Sequence, residues 1–238
     1  MTTAETSNDA GTAIPAYDPY RDADSLEFKF RAKRFRAIQA LIEAVLAERG
    51  RCDILDLGGT ETYWLIGDRF IRENRGRVTI TIVNTEEQTL RRTDQFRFLC
   101  GDATKPDLFA GRQFDLVHSN SLIEHVGSWR QMAMFAANVR RLASRYYVQT
   151  PNYWFPYEPH FRVPGFQFLP KAMRARLIMR YALGFFPRIT ERSEANQIVL
   201  HHQLLSTRQM RALFPDGVIS HEKFMRMNKS IIATRDIA

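Results

Sequence analysis

The sequence lacks long apolar runs and has little cysteine. No stretch approaches the ~18 consecutive apolar residues of a membrane-spanning helix, and the polar first residues lack the hydrophobic core of a signal peptide. The two cysteines, Cys52 and Cys100, show no CxxC or Cys/His ligand spacing, so neither a disulfide framework nor a metal site is predicted. These absences indicate a soluble, cytoplasmic protein.

Two familiar active-site motifs are also missing. Without GxGxxG, and without an acidic residue about 20 positions beyond it, the chain does not fit a nicotinamide dehydrogenase. Without GxSxG it does not fit an α/β-hydrolase. The net charge of +8 permits attraction to nucleic acid, anionic lipid or phosphorylated substrates, but the arginines are scattered as on solvated helix faces.

The chain divides into a polar lead-in and one domain. Residues 1–24 lack apolar periodicity and are predicted to be flexible, whereas Ser25 starts a long amphipathic helix that Gly50 ends. Apolar runs then alternate with helical stretches, which predicts a doubly wound α/β domain over residues 25–238. Strands are predicted at 53–57, 78–83, 96–99, 114–118 and 145–149, and helices near 62–74, 86–92, 105–109 and 128–143.

The last part of the chain breaks this rhythm. Two β-like runs, GVISHEKFMRM and KSIIATRDI, are joined by a turn too short for a helical crossover, which predicts an antiparallel hairpin. The sheet is therefore expected to be seven-stranded and mostly parallel, with an antiparallel last strand. An insertion at about 151–203, with an aromatic and proline-rich start and a helix around 171–183, is predicted to be a lid. A small satellite core is the alternative.

Polar residues follow four successive predicted strands, at the sheet edge where doubly wound folds bind ligands. Singly, each has a structural explanation as a helix cap or a turn residue. Their joint placement is more specific. They are Asp56, Gly58, Gly59 and Thr60 after the first strand, Asn84 after the second, Asp102 and Ala103 after the third, and Ser119 and Asn120 after the fourth.

The segments LDLGGT, GDA at 101–103 and FDLVHSNSLIEHV at 114–126 together resemble the class I S-adenosylmethionine-dependent methyltransferases, over roughly residues 26–150. The resemblance implies S-adenosyl-L-methionine as the cofactor. It assigns Asp56, Gly58 and Gly59 to the methionine end, Asn84 to the ribose, residues 102–103 to the adenine, and residues 119–120 to the sulfonium side. The chain departs from the family at Thr60, Thr62 and Asn84, where the family has two glycines and an acidic residue; Glu86 or Glu87 could supply that carboxylate.

Methyl transfer to a hydroxyl also needs a base. His125 follows the fourth strand, and Glu158 and His160 lie in the lid, so these three are the candidate catalytic residues; local packing or a loop hydrogen bond is the alternative. A small-molecule or glycan acceptor, including a lipid-linked one, is expected. Nucleic acid is not, because SNSLIEH replaces an Asn/Asp-Pro-Pro-aromatic stretch.

Two further readings stay open. The five basic residues in 171–188 are compatible with contact between this helix and an anionic membrane surface. However, Arg174 lies on the same side of the helix as Met173 and Leu177, which favours packing within the lid. A catalytically silent binding or partner module is the alternative function. The oligomeric state is not predicted.

Overall fold

The computed structural model describes residues 25–237, so the predicted flexible lead-in lies outside the described part. The helices are α1 Leu26–Arg49, α2 Asp68–Glu73, α3 Trp129–Leu142, α4 Lys171–Arg180, α5 Arg192–Leu200 and α6 Thr207–Leu213. The strands are β1 Cys52–Leu57, β2 Val78–Asn84, β3 Phe96–Cys100, β4 Leu116–Asn120, β5 Arg145–Pro151, β6 Tyr157–Glu158, β7 Val163–Pro164, β8 Val218–Phe224 and β9 Met227–Arg235. Short 3₁₀ helices cover Glu61–Gly67, Ile123–His125 and Phe166–Phe168.

Seven strands form one sheet in the order β3-β2-β1-β4-β5-β9-β8. Strands β1 to β5 are parallel, whereas β9 runs antiparallel to both of its neighbours, β5 and β8. This confirms the predicted doubly wound sheet with its antiparallel last strand and the predicted terminal hairpin. Strands β6 and β7 form a separate small hairpin in the lid.

Helix α1 follows its sequence signals closely. The Ser25 hydroxyl accepts a hydrogen bond from the Phe28 N–H at 3.0 Å, and Gly50 ends the helix with φ of 72°. A buried stripe at helical spacing, which includes Phe35, Ile38 and Ile42, packs on one face of the sheet. Together with residues 61–73, α1 covers that face, and α3 and α6 cover the other.

Three predicted elements were wrong in place or kind. The stretch 86–92 is not helical, because the Arg91 N–H and the Arg92 guanidinium bind Glu61 and hold the segment open. Residues 105–109 form turns rather than a helix, since Pro106 removes a donor from the short stretch. The fourth strand begins at Leu116, two residues later than predicted, and the Asp115 carboxylate just before it accepts from the Asp53 N–H at 2.8 Å.

The insertion is more helical than predicted. Its first helix ends at Arg180, and α5 was not anticipated. Among the described residues, no helix combines the length and apolar character needed to cross a bilayer.

Candidate cofactor and acceptor site

The site begins at the point where the strand order reverses. From β1 the chain runs outward to β2 and β3, then returns to β4 on the opposite side of β1. Such a switch point opens a crevice at the carboxyl ends of the two central strands. The residues predicted to bind the cofactor follow β3, β2, β1 and β4, which are consecutive neighbours in the sheet.

Two glycines shape the loop after β1. Gly58 has φ of 75°, and a Cβ there would lie 2.7 Å from Leu122 Cδ1. A Cβ at Gly59 would lie 1.8 Å from the Asp56 Oδ2. Glycine is therefore required at both positions, for conformation at Gly58 and for close packing at both.

Thr60 adopts a backbone conformation that does not require glycine and caps the next helix. Its backbone is extended, with φ of −139° and ψ of 152°, a conformation open to any residue. Its hydroxyl accepts a hydrogen bond from the Tyr63 N–H at 3.3 Å and so caps the 3₁₀ helix that follows. The departure from the family pattern therefore exchanges a flexible residue for a helix cap.

The side chains of Asp56 and Ser119 are buried and make hydrogen bonds within the protein. The fully buried Asp56 carboxylate accepts from Trp64 Nε1 at 2.8 Å and contacts His118 Nδ1 at 2.7 Å. The buried Ser119 hydroxyl donates to the Leu57 carbonyl at 2.9 Å. The polar atoms of both side chains are thus engaged within the protein, where they support the loop and the strand; that these two residues line the cofactor stays a prediction.

The residues after β2 and β3 are better placed. Asn84 is half-buried; its side chain donates to the Gly59 carbonyl at 3.3 Å and accepts from the Glu86 N–H at 3.2 Å. One oxygen of Asp102 accepts from the Thr104 N–H and hydroxyl, at 2.8 and 2.7 Å, while no described residue bonds the other oxygen. Ala103 is buried behind it. The Asp102 carboxylate thus combines the turn role with a free acceptor atom.

Asn120 has a cationic neighbour that the sequence did not reveal. Arg34 of α1 donates to Asn120 Oδ1 at 3.1 Å and binds the Glu222 carboxylate with two hydrogen bonds of 2.9 Å. Burial alone raises the pKa of Glu222, but the bond to Arg34 outweighs it and holds that pKa below its usual value. Since Arg34 and Glu222 are 188 positions apart, no local pattern could have paired them.

Three histidines from separate segments meet beyond β4. They are His125, His160 in the β6–β7 loop, and His202 just after α5; their ring centroids lie 4.7, 4.7 and 5.0 Å apart. Each Nδ1 faces a fixed oxygen: the His201 carbonyl at 3.2 Å, the Glu158 carboxylate at 2.7 Å and the Ile198 carbonyl at 2.7 Å, respectively. We call these three side chains the histidine cluster.

The surroundings set the charge of the histidine cluster. Burial lowers the pKa values of His125 and His202 to about 4, so both are neutral near pH 7. Burial also lowers the pKa of His160, but the hydrogen bond to Glu158 outweighs it and leaves the pKa above its usual value. Glu158 and His160, which the sequence offered as separate catalytic candidates, are thus a hydrogen-bonded pair in which the carboxylate orients the ring.

Glu124 adds a buried carboxyl group to the histidine cluster. One of its oxygens accepts from the Thr150 hydroxyl at 2.9 Å, and the other has no hydrogen-bond partner among the described residues. Burial raises the pKa of Glu124. One potential ligand atom from each of Glu124, His125 and His160 lies within 4.8 Å of the others, a grouping not expected from a sequence that predicted no metal ligands.

The lid contains both a small core and an exposed aromatic surface. Phe161, Phe166 and Ile178 are buried in a cluster separate from the two main ones, which supports the satellite-core interpretation. Trp154 and Phe168, by contrast, are exposed and lie 6.1 Å apart. On the outer side, α4 and α5 enclose a cavity of about 860 Å³ that four arginines help to line: Arg176, Arg180, Arg188 and Arg192.

Comparisons with known proteins agree on the fold. No protein-family model matches the chain. The uncharacterised proteins Rv1509 and MT1557 of Mycobacterium tuberculosis are 33% identical over 60 residues, which is 25% of this chain and 20% of either relative. The structure of the N-terminal domain of EvdMO1, solved with S-adenosylhomocysteine (SAH) and D-fucose present, is 17% identical with a TM-score of 0.51, over 87% of this chain and 82% of that one.

A protein of Rhodobacter sphaeroides assigned as a Zn-dependent alcohol dehydrogenase is similar to the same degree. Its TM-score is 0.51 at 13% identity, over 87% of this chain and 98% of that chain. At these identities the likeness concerns the fold alone. The chain has a Rossmann-like α/β fold with a seven-stranded mixed sheet.

Proposed function

We propose that the chain is an S-adenosylmethionine-dependent methyltransferase that methylates a hydroxyl of a small-molecule or glycan acceptor. One observation carries the proposal: the Gly58–Gly59 loop lies at the switch point of the sheet, and Asn84 and Asp102 follow the next strands in order. A ligand in that crevice meets glycine backbone first, then an amide, then a carboxylate. Methionine, ribose and adenine moieties of the cofactor match this order of chemical groups.

The cofactor contacts we propose follow from the free atoms of the site. The loop 58–60 offers close backbone approach to the methionine end. Asn84 can both donate to and accept from a ribose diol. The free oxygen of Asp102 can accept from the adenine amino group, with Ala103 behind the ring. Asn120 lies at the end of β4 on the sulfonium side, and Arg34 fixes the orientation of its amide.

The acceptor side of the proposed site is the lid. In the reaction the acceptor oxygen attacks the sulfonium methyl carbon, the carbon–sulfur bond breaks to release SAH, and the hydroxyl proton leaves to a base. We propose that the proton leaves at the histidine cluster, where Glu158 orients His160 and His125 lies beside it. The exposed rings of Trp154 and Phe168 suit a sugar face.

Calorimetric titration with S-adenosylmethionine and SAH tests the cofactor assignment. In Asp102→Asn the side-chain oxygen that Thr104 uses is kept, but an amide NH₂ replaces the free oxygen and cannot accept from adenine. We expect about tenfold weaker binding, about 1.4 kcal/mol. Asp107→Asn is the matched control, since Asp107 is exposed in the same segment. Absence of any binding at millimolar ligand would favour a silent module and reject the enzyme.

Product formation tests the acceptor assignment. Release of SAH is measured with free sugars, sugar nucleotides and lipid-linked sugars as acceptors. Glu158→Gln should slow turnover while leaving cofactor affinity unchanged, because the Glu158 side chain bonds to His160 and the Phe161 N–H and to none of the residues proposed to contact the cofactor. Equal loss of cofactor binding and turnover would contradict this division of the site.

A further inference from the structure

We propose that Glu124, His125 and His160 form a binding site for a divalent transition metal ion of the Zn²⁺ class, with the ring of His202 beside them. The site stands independently of the proposed function, because binding of the ion requires neither cofactor nor acceptor. Three observations support the proposal: the tautomers of the three imidazoles, the distances between their rings, and the Glu124 oxygen that has no hydrogen-bond partner among the described residues.

The hydrogen bonds at Nδ1 fix which nitrogen of each ring is free. A backbone carbonyl can only accept, so Nδ1 of His125 and of His202 must carry the proton. The Glu158 carboxylate imposes the same tautomer on His160. In its neutral form each ring has a lone pair on Nε2, for which the described residues provide no hydrogen-bond partner. Metal-ligating histidines are oriented in this way, by carbonyls and carboxylates on the second nitrogen.

The spacing of the rings fits a single ion. Three imidazoles that bind a metal through Nε2 at about 2.0–2.1 Å in tetrahedral directions have ring centroids about 5 Å apart. The observed separations are 4.7, 4.7 and 5.0 Å, and the ring planes are inclined by 71° to 85°. Parallel stacking, which would direct the lone pairs past one another, is absent from these three contacts.

Glu124 supplies the negative charge that such an ion requires. Its carboxyl group is fully buried, and one of its oxygens has no hydrogen-bond partner within the described chain. A carboxylate oxygen of Glu124 also lies within 4.8 Å of a ligand atom of His125 and of His160. An unpaired buried carboxylate is costly, and a cation beside it offsets that cost. Imidazole nitrogen with one carboxylate oxygen is a donor set that Zn²⁺, Co²⁺ and Ni²⁺ accept, whereas Mg²⁺ and Ca²⁺ prefer oxygen alone.

The ion would join the lid to the sheet. The Gln203 N–H donates to the Glu124 carbonyl at 3.0 Å, so the segment with His202 already touches the segment with Glu124 and His125. His160 comes from a third segment, the β6–β7 loop. A nitrogen whose lone pair binds the ion cannot also accept a proton, so an ion at this site and a free histidine base would exclude one another.

Metal analysis of the full chain, purified without a histidine tag, tests the proposal. After incubation with ZnCl₂ and gel filtration, we expect about one zinc per chain in the wild type and in His201→Ala, the matched control, since His201 is exposed and contributes only its carbonyl. His125→Ala and His160→Ala should lose the zinc. Glu158→Gln should weaken zinc affinity about 10- to 100-fold, as loss of an orienting carboxylate does.

Two measurements on the wild type keep the test valid if a variant fails to fold. Added Co²⁺ should give the visible absorption of a tetrahedral site, and ZnCl₂ should raise Tm. Substoichiometric zinc in the wild type, or equal zinc in the wild type and His160→Ala, would overturn the metal site. Binding of S-adenosylmethionine by the same zinc-free protein would leave the proposed function intact, which separates the two failures.

Discussion

Replacing Arg34 with methionine tests whether charge holds α1 over the ends of the strands. The variant keeps the apolar stem of the side chain and removes three hydrogen bonds of 2.9 to 3.1 Å. It leaves Glu222 as a carboxylate whose side chain is only 3% exposed. The change therefore tests the buried ion pair and leaves the packing of the helix almost unaltered.

The expected cost is large because the remaining partner stays buried. Removing one member of a buried ion pair costs about 3–5 kcal/mol. Lys229 Nζ, 3.8 Å from Glu222, and the Ser230 hydroxyl remain to offset part of the loss, so we expect about 3 kcal/mol. For a domain of this size that corresponds to a fall in Tm of roughly 6–12 °C.

Urea unfolding followed by circular dichroism measures the loss, and a double variant tests its origin. Arg34→Met with Glu222→Met removes both charges, so it should be more stable than Arg34→Met alone. Arg69→Met is the control: its partner Glu73 is exposed, and we expect no measurable change. A loss below about 1 kcal/mol in Arg34→Met, or additive losses in the double variant, would refute the reasoning.

The same pair predicts a pH dependence. The folded-state pKa of Glu222 lies below its usual value of 4.5, so its contribution is present above that pH and is lost as the pH falls through the lowered pKa. The stability gap between the wild type and Arg34→Met should therefore narrow below about pH 4.5. A constant gap across this range would contradict the assignment.

Three further predictions concern other buried groups. Asp56→Asn should lower the free energy of unfolding by about 2 kcal/mol in urea, because a charged acceptor of two buried donors is lost; an unchanged midpoint would contradict this. Tyr146→Phe should lower the free energy of unfolding by about 1 kcal/mol, because the Tyr146 hydroxyl donates to the Asp216 carboxylate at 2.9 Å. Tyr147→Phe should leave the free energy of unfolding unchanged or raise it, because the buried Tyr147 hydroxyl has no partner in the described chain. A thiol reagent should label the exposed Cys100 in the native protein and should reach Cys52 only after unfolding, because Cys52 is buried and burial raises its pKa to about 12. Labelling of the native protein should be lost in Cys100→Ser.

Local sequence signals predicted most of the fold. Ser25 and Gly50 marked the two ends of α1, and alternating apolar runs located the central strands. The short turn before the last apolar run required a hairpin. Each of these signals acts within a few residues of the chain. The wrong helix at 86–92 shows the limit of such signals. Side-chain bonds from Arg91 and Arg92 to distant Glu61 override local propensity there.

The candidate site was less predictable because it depends on which atoms are already occupied. Sequence position put Asp56 and Ser119 at strand ends, but only the fold reveals that their polar atoms face Trp64, His118 and the Leu57 carbonyl. Conversely, His202 gave no signal of its own. It joins His125 and His160 through the path of α5, which the apolar pattern did not predict.

The order of the last two strands has a consequence for how the protein is made. Strand β9 follows β8 in the chain but lies between β5 and β8, so β8 can join the sheet only after β9 has left the ribosome. Glu222 lies on β8, and it neutralises Arg34 and thereby holds the Asn120 amide. The first helix can thus pack on the nascent sheet early in synthesis, whereas the charge network over the strand ends is completed only when translation has passed Arg235.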